Sequence, residues 1–291
     1  YLFINEELSI NGDIRQLVKD QALIAGLMMT LLIGFSVIKL REKTEFQGRI
    51  QANPLKAFHD VWLNPHAKLL IIVTFIENIG SAAIATLTLY ISQYVVGAPA
   101  WAPLIILSYM IPSTLSVPLW LPLSHYFGKI KVWISSMLLT GVSFGGMFFL
   151  PFLDSIDERL ILIIILAFFA GLAAGCGGTI GPSVQGDVID YDEYITNERK
   201  EGTYFAAWNF IYKSAYGVML LVTGFMLQIA GFMPNQEQTM EVKITMVSLY
   251  GLFPLICYTI GAILFSRFKL DEKSYASIRR DLDQRALKNN N

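Results

Sequence analysis

Charged and amide side chains lie inside long apolar stretches of this sequence, where their burial needs a reason. Lys213 lies in a stretch that starts near Phe205, and Asn209 precedes it by one helical turn on the same face. A lysine at mid-bilayer costs at least about 2.5–3.5 kcal/mol and therefore usually faces a cavity or a partner. Donors, acceptors and aromatic rings on one face suit a polyhydroxylated ligand. The predicted substrate-binding residues are Lys213, Asn209, Trp208 and Tyr212. The alternative is a lysine that pairs with a buried carboxylate only to hold helices together.

A second charge, Glu77 beside Asn78, lies in the apolar run IIVTFIENIGSAAIATLTLY. Two roles are open for this carboxyl group. Either it exchanges a proton or binds a ligand, and so acts as a coupling residue, or its role is only structural, as a neutral protonated carboxyl group or as a partner in an interhelical hydrogen bond.

A third cluster, GDVIDYDEYITNERKEG, covers residues 186–202. Asp187, Asp190 and Glu193 follow at steps of three residues, which places them along one helical face, and Arg199 comes shortly after them. These four residues are predicted to form a gate of ion pairs at the cytoplasmic mouth of a transporter. A solvated run of charges is the alternative, and a calcium loop is disfavoured because its spacing and glycine are missing.

The composition places the chain in a membrane. Of 291 residues, 54% are hydrophobic and 15% are charged, against about 45–50% and about 25% in soluble domains. The net charge of −1 argues against a nucleic-acid binder. Two cysteines exclude a disulfide scaffold, and three histidines without ligand spacing disfavour a metal site. We expect no enzyme, because no nucleophile–base or metal constellation appears.

Seven stretches are long and apolar enough to be membrane helices, and none alternates like a barrel strand. They lie near 20–39, 68–95, 102–124, 132–152, 160–184, 205–231 and 244–267. The fifth is rich in small residues, including Gly171 and Gly175, which favours close helix packing, with a flexible gating surface as the alternative. Of the Lys and Arg residues, 17 fall on one side of these spans and 4 on the other, which predicts a cytoplasmic C-terminal tail.

The third cluster carries a family resemblance. The string DVIDYDEY (187–194), followed by Arg199, Glu201 and an aromatic run to Lys213, resembles the glycoside–pentoside–hexuronide:cation symporters, and melibiose carriers in particular, within the major facilitator superfamily. The likeness extends through NIGSAAIATLTLYISQYVVGA (78–98), GFMPNQEQT (231–239) and SRFKLDEKSYASIRRDL (266–282). One departure is the pair Trp208-Asn209, where melibiose carriers show Gln-Thr.

The resemblance implies an all-α membrane protein, with the six-helix C-terminal bundle of a twelve-helix transporter and one preceding helix. In melibiose carriers the lysine matching Lys213 belongs to the helix that lines the sugar and cation cavity. The carboxylates matching Asp190 and Glu193, and the arginine matching Arg199, belong to the cytoplasmic charge network. The expected divisions are an outer segment 1–19, a sixth transmembrane helix 20–39, a middle loop 40–67, the bundle 68–267 and a cytoplasmic tail 268–291.

The resemblance also implies symport of a sugar or glycoside with Na⁺ or H⁺ by alternating access, in the cytoplasmic membrane. The coupling-ion sites are expected mostly in an N-terminal six-helix half, which is the expected partner together with the lipid bilayer, and no other cofactor is expected. A chain that begins at Tyr1 rather than Met indicates a fragment or a processed form. The alternatives are a carrier of a non-sugar or lipid-like solute on the same scaffold, and a membrane scaffold that transports nothing.

Overall fold

The protein is described by a computed structural model that covers residues 14–39, 59, 61–198, 200–270 and 272–289. Every regular element in these ranges is helical. Helix α1 (Ile14–Lys39) belongs to one compact unit, and the helices from residue 61 onward belong to another. The side chains of α1 are almost all exposed from Lys19 onward, including Leu23, Leu27 and Leu31. An apolar helix of this kind is typical of a membrane span.

The second unit is a helical bundle in which most connections are short. Its helices are α2 (Pro65–Tyr90), α3 (Ala102–Leu115), α4 (Val117–Phe127), α5 (Lys129–Gly146), α6 (Ile156–Thr196), α7 (Glu201–Ile229), α8 (Met240–Val247), α9 (Phe253–Phe265) and α10 (Glu272–Asn289). A π-helical turn, Ile91–Val96, extends α2, and a second one, Ser248–Leu252, joins α8 to α9. Short 3-10 segments occur at Pro99–Trp101 and Met147–Phe152.

Local sequence signals explain where the helices begin and end. The side chain of Asn64 accepts hydrogen bonds from the first amides of α2, and Pro65 occupies its first position. Ser155 and Glu158 form a reciprocal capping box at the start of α6. This helix ends at Asn197, which has a left-handed backbone with φ of 54°.

The described part of the chain contains six helices long and apolar enough to cross a membrane, or seven when the bent pair α3–α4 counts as one span. This agrees with the seven predicted stretches. The pair bends by 49° at Ser116. Pro118, in the first turn of α4, removes a backbone donor and crowds the preceding turn, which accounts for the bend. Helix α6 extends beyond the predicted 160–184, because its polar end at 187–196 remains helical.

Two apolar clusters form the core of the bundle, one towards each end. The first includes Leu70, Trp133 and Phe265, and the second includes Leu87, Ile163 and Met246. The helix α2 residues 74–81 fall between the parts of α2 that belong to the two clusters. Polar side chains collect at this middle level, and we call it the polar layer.

Close approach of α3 to α6 depends on two glycines one helical turn apart. A Cβ atom at Gly171 would clash with the carbonyl group of Tyr109, and one at Gly175 would clash with Ser116 Oγ and the Ser113 carbonyl. In lipid, helices associate by such close packing because there is no hydrophobic force between them. The packing predicted from the small residues of the fifth span is therefore confirmed at these two positions.

We expect Gly171→Ala to lower the apparent melting temperature of the purified natural protein, because an added methyl group in a packed interface costs about 1–3 kcal/mol. The matched control is Gly224→Ala, since a Cβ atom there meets nothing within 4 Å. Equal melting temperatures for the two variants would contradict this account of the α3–α6 contact.

Candidate functional site

A groove of about 420 Å³ opens in the polar layer and is lined by six helices. Helices α2, α5 and α6 supply most of its wall, and single tyrosines come from α3, α7 and α9. The polar lining residues are Thr74, Glu77, Asn78, Ser81, Tyr109, Trp133, Ser136, Thr140, Gln185, Tyr212 and Tyr258. The groove thus brings an acidic group, amides, hydroxyls and an indole N–H into one space in the middle of the bundle.

The α2 wall follows from helical periodicity. Thr74, Glu77, Asn78 and Ser81 recur at steps of three and four residues, so they share one face. Asn78 Nδ2 donates to the Thr74 carbonyl at 2.6 Å, and Thr74 Oγ1 donates to the Leu70 carbonyl at 2.7 Å. These bonds satisfy the small polar groups locally and leave Glu77 as the charged group of this wall.

The α5 wall is a second polar stripe, which the sequence analysis missed. Trp133, Ser136 and Thr140 lie on one face of α5 and line the groove. Ser136 Oγ donates to the Trp133 carbonyl at 2.8 Å. The sequence feature that indicates this stripe is a pair of hydroxyl residues, three and seven positions after a tryptophan within one apolar run.

Helix α6 contributes an open wall of small residues. Gly177, Gly178 and Gly181 line the groove, with Gln185 one turn further along. A Cβ atom at Gly178 would meet nothing within 4 Å. The absence of side chains here creates the space that Glu77 and Trp133 face.

The predicted substrate residues on α7 divide between two environments. Tyr212 lines the groove, and its ring lies 4.8 Å from that of Tyr216. Trp208 is only 7% exposed and packs beside Tyr204 in the first apolar cluster. The structure therefore brings Tyr212 together with Glu77 and places Trp208 in the core.

Asn209 and Lys213 lie one turn apart on an exposed face of α7, outside the groove lining. Asn209 Nδ2 donates to the Phe205 carbonyl at 2.9 Å. Lys213 makes no ion pair with any residue that the structure describes. The predicted substrate-binding face of α7 therefore has no anionic partner among these residues.

An apolar pocket of about 410 Å³ adjoins the groove and shares Ser81 and Tyr109 with it. Its wall comes from α2, α3 and α7 together with Phe144 and Tyr250, and most of it is hydrocarbon. Polar and apolar spaces are therefore neighbours in the middle of the bundle.

The acidic cluster lies at the end of the bundle that carries α10, and its ion pairs join several elements. Lys129, the first residue of α5, contacts both carboxylate oxygens of Asp187, at 2.7 and 3.0 Å. Asp192 lies 4.0 Å from the buried Lys200. Glu193, which also has an interaction partner, is half-buried. Arg199 lies outside the residues that the structure describes, so its predicted place in the gate stays a prediction.

Asp190 connects α6 to the tail helix α10. Tyr275 donates to Asp190 Oδ2 at 2.8 Å, and Arg279 Nη1 donates to the same oxygen at 3.2 Å. Burial, and then the hydrogen bond to Asp190 and its negative charge, raise the pKa of Tyr275 well above its ordinary value. The phenol is therefore neutral and remains a donor at physiological pH. Arg285 adds a contact to the Tyr194 carbonyl at 3.0 Å.

A family comparison identifies this architecture. The model of the family described as MFS/sugar transport protein matches residues 16–272. The chain belongs to this family. The match confirms the resemblance to the cation symporters and the major facilitator fold class, and it makes the chain a multi-pass membrane protein of a transporter family.

Relatives of this chain carry symporter names. The chain is 29% identical over 164 residues to the uncharacterized symporter YjmB of Bacillus subtilis (strain 168). The aligned stretch covers 55% of this chain and 34% of the relative. The chain is 26% identical over 270 residues to the sodium-dependent lysophosphatidylcholine symporter 1 of Homo sapiens, covering 89% and 48%. It is 22% identical over 227 residues to the inner membrane symporter YicJ of Escherichia coli (strain K12), covering 76% and 48%. The chain spans about half the length of these relatives or less.

We expect Tyr275→Phe to loosen α10, because a hydrogen bond to a charged group contributes about 1.5–3 kcal/mol. Amide hydrogen exchange in 274–285 should accelerate. Tyr126→Phe is the matched control, since Tyr126 is 82% exposed. Unchanged exchange in α10 would show that the Asp190 contact does not hold the tail helix.

Proposed function

We propose that this chain forms the C-terminal half of a secondary active transporter that couples movement of a sugar or glycoside to Na⁺ or H⁺ by alternating access. The observation that carries the proposal is Glu77 in a polar groove midway along the bundle. A carboxylate at this depth is costly unless it faces a cavity or a partner, and such groups mark ion and substrate pathways. The family description and the symporter names of the relatives support the same class of activity.

The groove suits a polyhydroxylated solute because it offers acceptors, donors and an aromatic ring together. Glu77 and Asn78 supply oxygen acceptors, and Trp133 supplies a donor. Tyr212 presents a ring to the same space. Substrate sites of secondary transporters lie near the membrane midplane between two related bundles, and this groove lies between the two apolar clusters of the bundle described here.

Lys213 and Asn209 are proposed to act across the boundary with the other half. Lys213 lies about 18 Å along α7 from its first residue, at a rise of about 1.5 Å per residue, on the exposed face. A lysine at that depth needs an anionic or polar partner. We assign that role to the solute or to a carboxylate of the N-terminal half, with Trp208 supporting the helix from behind.

The cluster of Asp187, Asp190, Glu193 and Arg199 is proposed to stabilise the cytoplasmic gate, with the tail on that side of the membrane. Asp187 and Asp190 join α6 to α5 and α10 through Lys129, Tyr275 and Arg279. These contacts join the ends of three helices of this half, which supports their movement as one unit when two bundles rock against each other.

A lipid-like solute is the second candidate. The apolar pocket beside the groove would accept a hydrocarbon chain while the groove holds a polar head. The similarity to proteins named sodium-dependent lysophosphatidylcholine symporter 1 supports this candidate. Uptake of sugars and of lysophosphatidylcholine by the complete natural protein in liposomes separates the two.

We expect Lys213→Ala in the complete natural protein to weaken the apparent affinity in solute counterflow. Loss of a hydrogen bond to a charged group, about 1.5–3 kcal/mol, corresponds to roughly a 10- to 150-fold change. Lys131→Ala, at an exposed position of α5, is the matched control. Affinity and coupling like those of the unmodified protein would remove Lys213 from the site.

We expect Glu77→Gln to abolish accumulation driven by a cation gradient while counterflow persists at a weaker apparent affinity, because the amide keeps the shape of the side chain and one acceptor oxygen but loses the charge. Counterflow needs solute binding and carrier movement but no net coupling. Glu241→Gln, at an exposed position in the first turn of α8, is the control. Full gradient-driven accumulation by Glu77→Gln would contradict the coupling role.

A further inference from the structure

The groove contains a buried donor whose hydrogen-bonding capacity is not met by the described chain. Trp133 is 3% exposed, lines the groove, and its indole Nε1 has no hydrogen-bond partner among the described residues. The N–H lies near the Glu77 carboxylate in a geometry that falls short of a hydrogen bond. A buried donor without a partner costs about 1–3 kcal/mol, so binding of an acceptor at this point is favourable.

Access to the groove distinguishes this tryptophan from the other ones. Trp208 Nε1 is also buried without a described partner, and both tryptophans belong to the first apolar cluster, but Trp208 does not line the groove. Trp120 Nε1 donates to the Leu172 carbonyl at 2.7 Å. Trp133 is therefore the tryptophan whose free N–H a solute in the groove can reach.

Gly177 keeps open the space beside this donor. A Cβ atom placed on Gly177 would lie 3.9 Å from Glu77 Oε1 and 4.0 Å from Trp133 Nε1. A ligand atom next to Gly177 thus has an acceptor and a donor at nearly equal distances. The two side chains come from different helices, α2 and α5, and the opening comes from α6.

The space beside Gly177, between an acceptor and a donor, favours binding of a hydroxyl group. A hydroxyl accepts through its oxygen and donates through its hydrogen, so it can bind the indole N–H and the carboxylate at once. A carbonyl or carboxylate oxygen cannot donate to Glu77, and an ammonium group cannot accept from Trp133. An apolar group would leave both unsatisfied.

We propose that Trp133, Glu77 and Gly177 form a hydroxyl-binding subsite that recognises one hydroxyl group of the transported solute. This subsite rests on the proposed function and specifies which feature of the solute is recognised. The hydroxyl belongs to a sugar ring or to the glycerol of a lysophospholipid, and the chemistry of recognition is the same for both.

The test uses the complete natural protein in liposomes and compares each solute with analogues that lack one hydroxyl. The probes are D-glucose, D-galactose and their singly deoxygenated analogues, and palmitoyl-lysophosphatidylcholine with the analogue that lacks the glycerol hydroxyl. Half-saturating concentrations for uptake are measured for the unmodified protein, for Trp133→Phe and for Trp120→Phe as the matched control.

In the unmodified protein, removal of one particular hydroxyl should weaken the apparent affinity by roughly 10- to 100-fold, because it leaves the buried donor and acceptor unpaired. Trp133→Phe should lose most of this discrimination by binding the parent solute less well, and Trp120→Phe should keep it. Gly177→Ala provides a second variant: it should weaken binding of the parent solute more than that of the deoxygenated analogue.

The outcomes separate the subsite from the proposed function. Uptake with the same discrimination in Trp133→Phe as in the unmodified protein would overturn the subsite and leave the transport proposal intact. Uptake of lysophosphatidylcholine alone would overturn the sugar assignment. The comparison of lysophosphatidylcholine with the analogue that lacks the glycerol hydroxyl would then test the subsite. Uptake of no hydroxylated probe would overturn both.

Discussion

The bundle is organised around the cost of keeping the Glu77 carboxylate in the middle of a membrane helix. A charge at that depth is retained only with polar surroundings or a cavity, and the neighbouring helices provide both. Helix α5 turns a tryptophan and two hydroxyl groups towards it, and α6 supplies glycines that leave room. The two apolar clusters stabilise the bundle on either side of this layer. Apolar packing therefore lies towards the ends of the helices, and the polar side chains lie between.

The two ends of α6 make different kinds of contact. Gly171 and Gly175 bring α3 against α6 next to the groove, where packing is close. Beyond the layer, α6 continues as a charged helix to Thr196 and is tied to α5 and α10 through Asp187 and Asp190. One continuous helix therefore connects a packed interface, an open groove and an ion-pair network.

Much of the fold was predictable because membrane spans are local features of hydropathy. The seven stretches, the close packing at Gly171 and the position of Glu77 in a span followed from apolar length, small residues and the cost of burial. The pairing of Asp187 with Lys129, 58 residues apart, was not predictable, since tertiary contacts decide it. Trp133 was missed because a tryptophan in an apolar run resembles an ordinary core residue, and Lys213 could be placed by depth but not by direction.

Solute protection of a cysteine in the groove of the complete natural protein tests directly whether the solute binds there. Gly178→Cys places a thiol at an open position of the groove wall, and Ser277→Cys on the exposed face of α10 is the control. If the solute binds in the groove, it slows alkylation at position 178 and leaves the rate at position 277 unchanged. Equal rates at position 178 with and without solute, in a variant that still transports, would contradict this binding.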